Sequence, residues 1–241
     1  AADRGELRLD GRVVERRHAT LLRQRAVEAA QIVERGARQP FADQRHAQRP
    51  RGVDRGDADA ALAWTRRLAD VEIACGVTAT DSLANLADAE LAAGHAQRAA
   101  AIGTELLASL VGGRNEIELT YVRLNLAAPL LALSDPAAAA AHLRAGWAQA
   151  PLSGAAPSFA DYAALLAALQ GRMSAAARIA GHADAANADP REPNEAAAVA
   201  RAGQMARAAL GDAEFERLHA EGARLGYADV EALAFPEPPA V

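Results

Sequence analysis

The sequence predicts an all-α fold, built as a short solenoid of helix hairpins closed by a small C-terminal helical cap. Three observations predict it. Apolar residues recur three and four apart in every periodic segment, and none alternates as a strand would. Alanine makes up about a quarter of the 241 residues and aromatics only 4%, so the core must form by close approach of small side chains, which favours helices. Finally, one turn pattern returns at 56, 94, 134 and 171, in steps of 38, 40 and 37 residues, and a period of that size belongs to a repeat architecture.

Residues 1–53 stand outside the pattern. Gln39-Pro40 and Arg49-Pro50-Arg51-Gly52 interrupt them, and only Leu21 to Val33 has the spacing of an amphipathic helix, so they read as a basic, irregular N-terminal arm. Residues 54–189 carry the repeats. Gly56 followed by Ala60-Ala61-Leu62 supplies a turn and a second helix. The run from Leu86 to Ala93 stops at Gly94 and restarts around Ala99; that from Leu126 to Leu133 stops at Ser134 and restarts after Asp135-Pro136; that from Ala163 to Gln170 stops at Gly171 and restarts around Ala175. Glycine past a helix end accepts positive φ, and Asp135-Pro136 offers a capping side chain with proline at the first helical position. Ala61, Ala99, Ala139 and Ala176 each fall five residues after the turn, where a small side chain lets paired helices approach closely. Pro129 is discordant, and predicts a kink or local break in its helix. In the remainder, residues 190–241, a polar turn over Asp189 to Asn194 precedes a helix from Glu195 to Leu210, then a small helical cap ending at Val230 to Phe235.

These turns, with Leu-Ala before and Ala five residues after, resemble the tetratricopeptide repeat. The periods exceed its usual length of about 34, Leu83, Val122 and Phe159 stand where its large aromatic would be, and its late proline is missing. Longer units of this kind are similar to those in the C-terminal regions of large bacterial ATPase-linked transcriptional regulators, the LuxR-like and winged-helix regulator ATPases. The tail Arg207 to Phe215, then Glu221-Gly222 and Leu225, resembles their terminal signature. The resemblance spans about residues 54–236 and implies a non-catalytic sensor or protein-interaction region, serving a DNA-binding or cyclase domain and a nucleotide-binding domain outside this chain. A self-standing adaptor that scaffolds other proteins is the alternative. The absence of an initiator Met fits a piece of a longer protein.

Composition excludes several chemistries. All 26 basic residues are arginine, so a P-loop lysine, a Schiff-base lysine and a Ser-Lys dyad are ruled out. A net charge of -5 argues against direct nucleic-acid contact, which needs a basic surface to displace counterions. The charge is uneven: residues 1–60 hold 13 Arg and 10 acids, the rest 13 Arg and 21 acids. No run approaches the ~18 apolar residues of a spanning helix, and no signal peptide opens the chain, so no membrane contact and a cytoplasmic location are expected. The lone Cys75, beside Val71, Ile73, Ala74 and Val77, reads as a buried structural thiol.

No catalytic residue, metal site or cofactor is predicted. His18, His46, His95, His142, His182 and His219 do not pair at ligand spacing, and His182-Ala-Asp184 is the nearest approach to a metal pair. His95, in a turn, reads as solvated. Gly112-Gly113-Arg114 is a loop between units, and Ser153 and Ser158 lack the Gly-x-Ser-x-Gly elbow. An enzyme would need a polar cleft converging His182 or His219 with carboxylates. The surface left for function is the inner face of the first helices, where the repeat places Asp81, Ala84, Asp88 and Leu91, then Tyr121, Leu124, Ala128 and Leu131, with Asn85 and Asn125 alongside. Asp81, Asn85 and Asp88 share one helix face by their spacing. Together with Tyr121 and Asn125 they form the predicted site for a protein, peptide or small effector, against a plainer reading of the acids as a solvated face and of Leu91, Leu124 and Leu131 as core.

Overall fold

The computed structural model describes residues 55–75, 79–110, 116–188 and 190–237, with side chains from Leu62 onward. The N-terminal arm with Leu21 to Val33, His18 and His46, the side chain of Ala61, Val77, the Gly112-Gly113-Arg114 loop and Asp189 lie outside the described residues. Among those described, every regular element is helical: α1 (Arg55–Ala74), α2 (Thr80–Ala92), α3 (Ala96–Leu110), α4 (Glu116–Ala132), α5 (Pro136–Trp147), α6 (Ala150–Ser153), α7 (Ala156–Leu169), α8 (Met173–Ala186), α9 (Pro193–Leu210), α10 (Asp212–Gly222) and α11 (Tyr227–Ala234). None of these helices is long and apolar enough to cross a membrane.

The chain divides into two units, Ala1–Ala79 and Thr80–Val241. In the first, α1 spans Arg55–Ala74, which puts Gly56 inside a helix and not in a turn between two helices. Cys75 corrects a second expectation. It is exposed, because it follows the last residue of α1 in a turn, beside an Ile73 that is itself exposed.

The second unit contains three hairpins, α2 with α3, α4 with α5 and α7 with α8, and the first helix of each of the first two also packs on the first helix of the next hairpin. The three turns share one hydrogen-bond pattern. Gly94 N–H donates to Leu91 O and His95 N–H to Glu90 O; Ser134 to Leu131 O and Asp135 to Leu130 O; Gly171 to Ala168 O and Arg172 to Ala167 O. This is the Schellman closure, in which a left-handed residue lets the chain turn back on the last carbonyls of its helix. The left-handed residues are Gly94 (φ 84°), Ser134 (φ 60°) and Gly171 (φ 76°). Asp135 caps α5 by accepting from Ala138 N–H at 3.0 Å, with Pro136 at the start of the helix. As the repeat predicts, Ala99, Ala139 and Ala176 are buried, and so are Leu86-Ala87 and Leu126-Ala127.

Pro129 does not break its helix. α4 continues to Ala132, and Leu133 N–H donates to the Pro129 carbonyl at 2.9 Å. The missing Pro129 N–H therefore removes one interior bond, to the carbonyl of Asn125, without ending the helix. Pro129 itself is fully buried, so packing around α4 offsets that loss.

Helix α7 is the centre of this unit. Every residue from Phe159 to Ala168 is buried, as expected for a helix that is apolar all round, and α4, α5, α6, α8, α9 and α11 all touch it. Two glycines govern the crossing of α8 and α10. A Cβ on Gly181 would lie 2.0 Å from the His219 carbonyl oxygen, and one on Gly222 would lie 1.8 Å from that of Arg178, so a larger residue at either place requires the backbones to move apart. α11 then docks through aromatics. Tyr227 stacks on Trp147 at 4.6 Å, Phe235 meets Trp147 edge-on at 5.2 Å, and Arg172 donates to the Leu233 and Ala234 carbonyls at the end of α11.

Candidate functional site

The residues predicted to bind a partner separate into two groups. Asp81 and Asn85 are exposed on α2. Asp88, one turn further on, is half-buried, because the N-terminus of α9 lies against it: Asn194 Nδ2 donates to Asp88 Oδ1 at 2.5 Å and to its carbonyl at 3.0 Å. On α4, Asn125 Nδ2 donates to the Ala84 carbonyl at 3.3 Å and ties α4 to α2, while the Tyr121 hydroxyl donates to the Ser153 carbonyl and ties α4 to α6. Of the inward apolar residues, Leu124 and Leu131 are buried and Leu91 packs against the same core.

Around the α2–α9 contact the fold assembles a polar cluster. Asp161 is 1% exposed, the one acid in the buried run of α7. Arg191, in the turn before α9, donates through Nε to both its oxygens at 2.9 and 3.0 Å, and Asn187 is 3.5 Å away. Arg191 Nη2 also pairs with Asp184 at 2.6 Å, and the second oxygen of Asp184 meets His219 Nε2 at 2.8 Å. His219, Asp184, Arg191 and Asp161 thus form a chain of polar contacts across α10, α8, the turn and α7, with ion pairs between Arg191 and the two aspartates. Burial nevertheless pushes the Asp161 carboxyl up to about 6, against the pull of Arg191.

Glu195 completes the cluster. It occupies the first turn of α9, its Oε2 is buried without a hydrogen-bond partner, and burial, with Asp88, Asp161 and Glu192 nearby, pushes its carboxyl up to about 7. Its own backbone N–H bonds the carboxyl and pulls the other way, and so does the positive end of the helix, but these fall short of the burial cost.

Among the described histidines, three make side-chain polar contacts, His219 with Asp184 as above. His182 Nδ1 lies 2.9 Å from the Leu225 carbonyl, and its neighbour Asp184 serves Arg191 and His219. His95 is exposed, as a turn residue should be, yet its Nδ1 lies 2.8 Å from the carboxylate of Glu90, which is buried. Among the described residues no cluster of three or more His, Cys, Asp or Glu could hold a metal ion. Sequence reasoning missed Asp161, Arg191, Asn194 and Glu195. For Asp161 a signal existed, a single acid within the apolar stretch Phe159 to Leu169; for the others, partners up to 106 residues away leave no local trace. No family model, curated protein or solved structure matches the chain.

Proposed function

We propose that this chain is a tetratricopeptide-like solenoid with a helical cap, acting as the non-catalytic sensor or protein-interaction region of a bacterial transcriptional regulator of the ATPase-linked kind. The observation that carries the reading is the repetition itself. Three hairpins turn on the same hydrogen-bond motif at intervals of 40 and 37 residues, and the first helix of each of the first two packs on the first helix of the next. The tail adds support, because Gly222, part of the sequence signature, is the residue at which α10 meets the α8 backbone. In this reading a peptide, protein or small effector engages the face that carries Asp81 and Asn85. Its binding then shifts the population of solenoid conformations and so biases a nucleotide-binding domain elsewhere in the same protein.

Sequencing the gene upstream of the Ala1 codon tests this directly. The expected result is an in-frame nucleotide-binding domain; a start codon with no such domain before it would overturn the regulator reading in favour of an adaptor.

A further inference from the structure

The α2–α9 contact joins the first hairpin of the second unit to the long helix that follows the third, and it is made by few groups. Asn194 supplies both hydrogen bonds to Asp88. Its sequence neighbour Glu195 brings a buried oxygen that no donor meets, among the carboxylates of Asp88 from α2, Asp161 from α7 and Glu192 from the turn. The nearby cation, Arg191, points its Nε at Asp161 and its Nη2 at Asp184 of α8, and Asp184 in turn faces His219 of α10. A neutral Glu195 is compatible with this packing. An ionised one adds a buried charge to an acidic cluster whose arginine faces Asp161 and Asp184, its Nη2 lying 2.6 Å from Asp184 without a well-formed hydrogen bond.

We infer that the α2–α9 contact is a proton-operated latch, shut while the Glu195 carboxyl is protonated and released when that carboxyl ionises against Asp88, Asp161 and Glu192. Release lifts the start of α9 away from α2, hydrates the charge and uncovers Asp88. The carboxyl, raised to about 7, places the transition near neutrality. This inference does not depend on the regulator reading.

The test uses spin labels on the full chain, at Asn85→Cys on α2 and Ala197→Cys on α9, both exposed positions, with the native thiol removed as Cys75→Ser. Electron-electron distances are measured from pH 5.5 to 8.5. The expected result is one short, narrow distribution at pH 5.5 that moves to longer distances at pH 8.5, half-complete near pH 7, while Glu195→Gln stays short throughout. A parent distribution that does not change with pH overturns the latch, as does a Glu195→Gln chain that moves as the parent does. Asp161, raised to about 6, would put the half-point about one pH unit lower, and histidine is the other side-chain type that titrates in this range, so His219→Gln is the second variant. It should keep the full transition, and losing it would reassign the switch to His219 and overturn the proposal even if Glu195→Gln failed to fold.

Discussion

Replacing Gly222 by alanine should destabilise the second unit, and the size of the effect follows from the α8–α10 crossing. The added Cβ would sit 1.8 Å from the Arg178 carbonyl oxygen, whereas ordinary contact begins at 3.4 Å, so the two helices must part by about 1.6 Å. The obstacle is backbone, which no rotamer change moves aside. Overpacking of this kind costs about 1 to 3 kcal/mol, and a rigid obstacle argues for the top of that range. Alanine recovers somewhat under ~1 kcal/mol through its better helix propensity. The net loss is about 2 kcal/mol, or about 4 to 8 °C in melting temperature for a chain of this size. Gly181→Ala meets the His219 carbonyl at 2.0 Å and should cost about as much; the double variant should lose less than the sum, because one separation accommodates both methyl groups. Thermal melts followed by helical circular dichroism measure this. Gly203→Ala in α9 is the control, since its Cβ would find only the Phe215 ring at 3.9 Å, and it should be neutral or slightly stabilising. If Gly222→Ala and Gly203→Ala melt together, the close crossing of α8 and α10 is wrong.

Ser134 occupies the left-handed position that Gly94 and Gly171 fill elsewhere. Ser134→Gly should therefore raise stability by about 0.5 to 1 kcal/mol in urea titration, strain relief outweighing glycine's extra unfolded-state freedom; a loss would refute the shared turn. Ala139→Leu and Ala176→Leu should each cost about 1 to 3 kcal/mol by overpacking fully buried sites, and near-parental melting of both would refute the assigned helix pairing. Glu195 makes stability depend on pH. Because its folded value is raised from 4.5 to about 7, the folded state holds the proton more tightly, and stability is greatest below pH 4.5 and declines as pH rises to about 7. Glu195→Gln should remove up to about 3 kcal/mol of that decline, leaving a smaller one from Asp161, raised from 3.8 to about 6; urea midpoints at pH 5 and pH 8 compare the two chains, and equal declines would refute the assignment.

How far the sequence foretells this molecule depends on the range of the interactions. Turns and hairpins are legible because their causes are local. A residue tolerant of positive φ at 94, 134 and 171, a capping Asp135 and a small residue five places later all lie within one turn of chain. Cys75 shows the limit of the same reasoning. Its neighbours are apolar, but one residue past the end of a helix the periodic face no longer applies, and the thiol is exposed. Pro129 shows another limit: intrinsic propensity predicts a break, and burial against neighbouring helices keeps α4 continuous.

The polar cluster is illegible for a different reason. Asp88, Asp161 and Glu195 lie 73 and 34 residues apart in sequence, and each alone reads as an acid on a polar face or a helix start. What makes them a site is the return of α9 to α2, which depends on how all the helices between them pack, buried small residues such as Ala139 and Ala176 included. The face predicted to bind a partner is accordingly divided, with Asp81 and Asn85 exposed and Asp88 held by Asn194. A ligand that needs all three residues must displace the start of α9. It would compete with Asn194 for the Asp88 carboxylate, so its apparent affinity would fall by the fraction of molecules in which the latch is shut, and ionising Glu195 would relieve that competition.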